Sequence, residues 1–140
     1  MPRPSGPKTR CNGLWSEAKF NSFINNLLRQ GTRKWAPIQQ TNKDARTRRG
    51  FYLCAECKEE VPATIVKDGK RVKNVAVDHI KPVIDPAVGF TSWDDVIEAM
   101  YCEMDNLQLL CKACHDKITA EERNIAKLRR QKDKESNEQS

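Results

Sequence analysis

Asn106-Leu107-Gln108-Leu109-Leu110-Cys111-Lys112-Ala113-Cys114-His115 is the run on which the reading of this chain turns. It ends in two cysteines set two residues apart, and the same spacing occurs upstream at Cys54-Ala55-Glu56-Cys57. Each pair offers two thiolates across one tight turn, the bite that tetrahedral zinc requires when four sulfur ligands converge at about 2.3 Å. Together they read as one four-cysteine zinc site. Four reduced core cysteines are the plain alternative, which two pairs of identical spacing disfavour. The 53 residues between the pairs exceed the gap of a simple zinc ribbon, so a folded insert has to bring them together. Cys11 and Cys102 lack any partner spacing and read as plain thiols.

A chain of 140 residues has the size of one domain, and 38% hydrophobic content is modest for a core that must stand without a staple. No basic start followed by an apolar core is present, nor any run of 18 apolar residues. The expectation is a cytoplasmic protein with no membrane partner, whose cysteines stay reduced and therefore serve a metal before disulfides. The net charge of +6 is unevenly placed. Residues 1–50 carry +9, residues 51–118 carry −4 and residues 119–140 carry +1. A basic arm beside an acidic centre suits a phosphate clamp next to a cation site, although a soluble surface with a basic tail has the same arithmetic.

Residues 1–13 are rich in proline, glycine and basic side chains, and read as a flexible basic arm. A helical basic extension is expected over 14–50. Within it Phe20, Phe23, Ile24, Leu27 and Leu28 recur at helical spacing, with Ser16 as N-cap and Gly31 as the stop. Phe51-Tyr52-Leu53 has strand character and runs into Cys54. Val61–Val66 and Val72–Val77 flank Asp68-Gly69, the chemistry of a hairpin turn, which would set His79 at the hairpin's exit. Ser92-Trp93-Asp94-Asp95 opens a short helix to about Met100, and Thr119-Ala120-Glu121-Glu122 opens another to about Gln131. Residues 132–140 are polar enough to form a disordered tail. The main domain is thus 51–131.

The two histidines each adjoin a feature already named: His79 follows Asp78 at a strand end, and His115 follows the second cysteine pair. Asp78 and His115 could supply an oxygen and a nitrogen ligand to a second, harder divalent ion, leaving His79, with an ordinary pKa of about 6.5, as a base. Read singly, His79 is equally a turn histidine and His115 equally a knuckle or helix-surface residue. Asn106 by itself is a turn residue bonding nearby backbone.

Taken in order, Cys54-x-x-Cys57, Val77-Asp78-His79-Ile80 with Pro82, then Asn106-Leu107-Gln108-x-Leu110-Cys111-x-x-Cys114-His115 and Lys117 resemble the HNH endonuclease family in its zinc-containing branch. The resemblance covers about residues 51–118. Gly89-Phe90-Thr91-Ser92-Trp93-Asp94 and the leader from Trp15 through Trp35 to Pro37 are similar to phage and prophage members. The gap of 26 residues between His79 and Asn106 departs from the compact pattern. What the resemblance implies is an α+β fold with a ββα-metal, treble-clef-like core. His79 would be the general base and Asn106 the residue that holds its loop. Asp78 and His115 would hold Mg²⁺, Mn²⁺ or a similar ion, with Cys54, Cys57, Cys111 and Cys114 on structural Zn²⁺. The implied partner is DNA, and the phage likeness adds packaging machinery as a partner.

Arg46, Arg48 and Arg49 and the region 127–132 are candidate backbone contacts, and Lys81 and Lys112 sit close in sequence to the proposed site. Two rivals remain: a treble-clef zinc module that binds nucleic acid without cutting it, and a zinc-stapled module for an acidic protein partner. No heptad pattern speaks for a dimer.

Overall fold

The computed structural model describes residues 6–138. The chain divides into two compact units, residues 1–34 and 35–140. In the first, a 3-10 turn at Cys11–Gly13 precedes helix α1, Glu17–Gly31, which passes into a second 3-10 turn at Thr32–Lys34. Ser16 caps α1 as its sequence position predicts, its hydroxyl accepting from the Lys19 N–H at 3.2 Å. The predicted arm is tied down at Thr9, whose hydroxyl donates to Glu17 at 2.9 Å, and at the guanidinium of Arg10. That guanidinium pairs with Glu17 at 2.9 Å and lies 4.0 Å over the Phe20 ring. Residues 1–5 of the arm lie outside the described residues. None of the five apolar side chains on α1 is buried, and Phe23 and Leu27 are exposed.

The second unit is a mixed α+β structure around a four-cysteine cluster. It starts with α2, Ala36–Ala45, whose Pro37 occupies the first turn, where a missing N–H leaves no bond unmade. Strands β1 (Arg46–Arg48), β2 (Phe51–Leu53) and β3 (Glu60–Pro62) form an antiparallel sheet in that order. β4 (Thr64–Lys67) and β5 (Lys70–Lys73) form a separate hairpin. β6 (Val75–His79) pairs antiparallel with β7 (Leu107–Cys111), from Val75 opposite Cys111 to His79 opposite Leu107. Helix α3, Trp93–Met100, lies in the connection, capped by the Ser92 hydroxyl, which accepts from the Asp95 N–H at 3.1 Å. β7 leads without a break into α4, Lys112–Glu138. Leu107, Leu109, Leu110, Cys111, Cys54, Val75, Val96 and Met100 make the small buried core. No helix among the described residues is long and apolar enough to cross a membrane.

Two expectations need correction. The valine-rich runs do not form one long hairpin. Asp68 and Gly69, at φ of +53° and +76°, close the predicted turn, but only β4 and β5 pair across it. Val61 belongs to β3, and Val75 to Val77 belong to β6. The cause is buried Asn74, whose N–H donates to the Ala63 carbonyl at 2.9 Å and whose side-chain amide donates to the Pro62 carbonyl at 2.8 Å. Its own carbonyl accepts from the Lys112 N–H at 2.7 Å, which turns the chain away from β4 toward β7. The C-terminal helix also begins at Lys112 rather than Thr119 and continues past Gln131 to Glu138. Residues 112–138 contain neither glycine nor proline, and Lys, Arg, Glu and Gln are good helix formers, so the polar stretch from Lys132 extends the helix.

Candidate metal centre and the surroundings of His79

The turn between β2 and β3 carries the first cysteine pair. Cys54 N–H donates to the Glu59 carbonyl and Lys58 N–H to the Cys54 carbonyl, each at 3.0 Å, which curls residues 54–59 into a knuckle. Lys58 takes a φ of +63° within it. The second pair straddles the end of β7 and the first turn of α4. Ala55 N–H donates to the Leu109 carbonyl at 2.8 Å, and Cys111 N–H to the Cys54 sulfur at 3.4 Å, so backbone bonds hold the two pairs against each other. The sulfurs of Cys54, Cys57, Cys111 and Cys114 all lie within 4.8 Å of one another. An ideal tetrahedron with arms of about 2.3 Å has edges of about 3.8 Å, so four thiolates at this spacing fit a metal ion of zinc's size. Among the described residues this is the one group of three or more metal-ligating side chains that converges so closely.

The thiols titrate apart. Burial opposes ionisation of Cys54, but backbone N–H groups of Cys111, Cys57 and Glu56 outweigh it and bring that thiol down to about 6. Cys114 is pushed up to about 12 by burial and by the neighbouring sulfurs, and Cys57 is also raised, its bond from Glu59 backbone being outweighed by Cys54 and burial. Cys54 thus ionises more readily than Cys57 and Cys114.

His79 closes β6, half-buried, and its Nε2 lies 2.8 Å from the Met100 carbonyl at the end of α3. A carbonyl only accepts, so in the neutral ring Nε2 carries the proton and Nδ1 keeps its lone pair. Asn106 grips the segment that follows. Its Oδ1 accepts from the Lys81 N–H at 2.9 Å, its amide donates to the Lys81 carbonyl at 3.4 Å, and its own carbonyl accepts from the Ile80 N–H at 2.8 Å. The end of α3 is in turn anchored from α2: the Trp35 indole N–H donates to the Cys102 carbonyl at 2.7 Å, and the Trp35 and Tyr101 rings meet edge-on at 5.5 Å.

Asp78 lies on β6 opposite Gln108, and His115 on the first turn of α4. Both act on Glu122 of α4. Its carboxyl is pushed up by partial burial and then by the charge of Asp78, and drawn down by His115. His115 Nδ1 is 3.8 Å from the Asp116 carboxylate, beyond hydrogen-bond reach. Asp116 is held below the usual carboxylate range, first by its bond from the Lys112 ammonium and further by the charges of Lys112, His115 and Lys67.

Sequence reading placed Glu122 only in a capping pattern and Trp35 only in the leader, and marked neither of them, nor the Met100 carbonyl, as part of the site. Glu122 is seven residues from His115, hence on one helix face, a relation visible only once α4 is started at Lys112. The basic candidates fare unevenly. Arg48 is taken by Glu60 at 2.7 Å and stacks on Phe51 at 3.8 Å, and Lys112 is taken by Asp116 at 3.0 Å. Arg46, Arg49 and Lys81 are exposed. No protein-family model, no curated protein and no solved structure matches the chain.

Proposed function

We propose that the chain is a metal-dependent DNA endonuclease of the HNH kind, with β6, β7 and α4 as its ββα core and structural zinc on the four cysteines. The observation that carries the reading is His79, whose Nε2 is fixed by the Met100 carbonyl while its loop is pinned by Asn106. Such an arrangement leaves Nδ1 as an oriented proton acceptor next in sequence to Asp78. A purely structural histidine in a turn has no need of a dedicated asparagine on the backbone beyond it.

In the proposed reaction Nδ1 of His79 takes a proton from water as its oxygen attacks a backbone phosphorus in line with the leaving 3′ oxygen. The phosphorus–oxygen bond to that leaving group breaks, its oxygen takes a proton from solvent, and the ends are a 5′-phosphate and a 3′-hydroxyl. A divalent ion such as Mg²⁺ or Mn²⁺, held by Asp78 and His115, would supply Lewis-acid stabilisation of the charge that develops on phosphate. Asn106 keeps the base aimed without touching substrate. Four thiolates leave zinc no open position, which separates the staple from the chemistry.

Supercoiled plasmid is the test substrate, with zinc-loaded protein and Mg²⁺ or Mn²⁺ added or withheld. Relaxation that needs the added ion and falls by at least about 100-fold in His79→Ala is expected. Binding without any cleavage would instead select the non-cutting treble-clef module.

A further inference from the structure

Besides the exposed Arg46, Arg49 and Lys81, the structure leaves cations free to meet phosphate on an element that the sequence did not nominate. The β4–β5 hairpin carries Lys67, Lys70, Arg71 and Lys73 with a single acid, Asp68, at the turn. All four cations are exposed, and no salt bridge among the described residues involves any of them. Arg71 donates to the neutral Thr64 hydroxyl at 3.1 Å and so keeps its full charge.

Pairing places the cations in an ordered way. Thr64 faces Lys73 and Val66 faces Arg71, so Arg71 and Lys73 share one face of the ribbon. Ile65 and Val72 pair on the opposite, half-buried face, with Lys67 and Lys70 beyond them at the tip. Alternate residues on a strand are about 6.8 Å apart, close to two nucleotide steps of about 3.4 Å along a duplex axis. A two-stranded ribbon is also narrow enough for the major groove. The hairpin continues through Asn74 into β6, which ends in Asp78 and His79. The Asn74 carbonyl, next after β5, accepts from the Lys112 N–H that begins α4, at 2.7 Å.

We infer that the β4–β5 hairpin is a clamp for the phosphate backbone of duplex DNA, holding it beside the residues that end β6 and begin α4. The choice of DNA rests on the nuclease reading; the surface itself rests on the unpaired cations and their placement. The test reads binding rather than cutting, so the two ideas can fail separately.

Anisotropy of a short labelled duplex is measured across a salt series without added Mg²⁺, for the wild type and for the combined Lys67→Ala, Lys70→Ala, Arg71→Ala, Lys73→Ala protein. Each phosphate contact contributes about 0.9 to the slope of log affinity against log salt. The combined variant is expected to bind at least about 10-fold more weakly, with a slope shallower by about 2 or more. Lys134→Ala, at an exposed position near the end of α4, should change neither. If the combined variant melts early, Lys70→Ala with Arg71→Ala alone, both on exposed positions, should give a proportionate loss. An unchanged affinity and slope in variants with wild-type melting overturns the clamp, as does a wild type that does not bind duplex. Tighter binding to duplex RNA overturns the assignment to DNA. A hairpin-dependent slope in a protein that never nicks plasmid upholds the clamp and removes the nuclease.

Discussion

Both ends of the Asn106 side chain act on the backbone of one residue, Lys81, two positions beyond His79. Asn106→Ala removes both bonds, and the one its amide donates to the Cys102 sulfur at 3.8 Å, and lets the His79 loop relax. Under the nuclease reading, nicking should fall about 100-fold, the cost of a misplacement on the order of 1 Å, while duplex affinity in the salt series stays at the wild-type value. Asn106→Asp retains an acceptor for the 2.9 Å bond from Lys81 N–H and loses the longer donation, so its nicking rate should fall between the two. Equal activity in all three proteins would remove Asn106 from the mechanism. The cysteines make a prediction of their own. Cys57 and Cys114 are raised, so they hold protons near neutral pH, whereas Cys54, at about 6, is largely ionised. Loading a metal must expel those protons, so affinity for Zn²⁺ should strengthen as pH rises and weaken as it falls, with protons appearing in solution on titration. Zinc titrations in a weakly buffered solution with a pH indicator check it; a pH-independent affinity would contradict the four-thiolate site.

The C-terminal end of α3 is the element on which the candidate base depends. The last carbonyls of a helix lack intrahelical partners and point along the negative end of its dipole. His79 uses one of them, at Met100, and the Trp35 indole bonds the Cys102 carbonyl two residues past the helix. Trp35→Phe keeps an aromatic ring but deletes the indole N–H, leaving the Cys102 carbonyl without that partner. A loss of about 1–3 kcal/mol is expected. It should be read as a lower melting temperature, together with nitrogen NMR spectra of His79 in which the Nε2-protonated form no longer dominates. Unchanged spectra would show that α3 holds the ring without help from α2. The long connection before α3 is clasped at another point. Gly89, at φ +88°, lies so close to α4 that an added Cβ would meet the Arg129 guanidinium at 2.5 Å, and that guanidinium donates to the Pro86 carbonyl at 3.2 Å. Gly89→Ala should therefore lower the melting temperature through both backbone strain and displacement of Arg129. In Gly89→Ala with Arg129→Ala only the strain remains.

At the scale of the molecule, the buried core is small and two of its members, Cys54 and Cys111, belong to the four-cysteine cluster. Chelation or Cys111→Ala should therefore abolish cooperative melting in calorimetry, since structural zinc contributes on the order of 10 kcal/mol in small domains. A chelated protein melting at the holo temperature would show that the apolar core suffices. The parts of this architecture legible in the linear chain are those whose physics is local. Two cysteine pairs of one spacing predict a convergent cluster, serine ahead of an amphipathic run predicts the caps at Ser16 and Ser92, and Asp-Gly predicts the turn at 68–69. Which valines pair with which strand was not legible, because one buried asparagine, Asn74, decides it through bonds to Pro62, Ala63 and Lys112. The start of α4 was not legible either, since a capping pattern at Thr119 inside a helix looks like one at its beginning. Residue types and spacings by themselves determined a four-cysteine cluster and nominated His79, Asp78, Asn106 and His115. Only the tertiary structure decided what holds His79, which cations are free and that Asp78 acts on Glu122 beside His115, because the bond of His79 to Met100 crosses 21 residues of chain and the influence of Asp78 on Glu122 crosses more, both made when hydrogen bonds and charges find partners that periodicity does not encode.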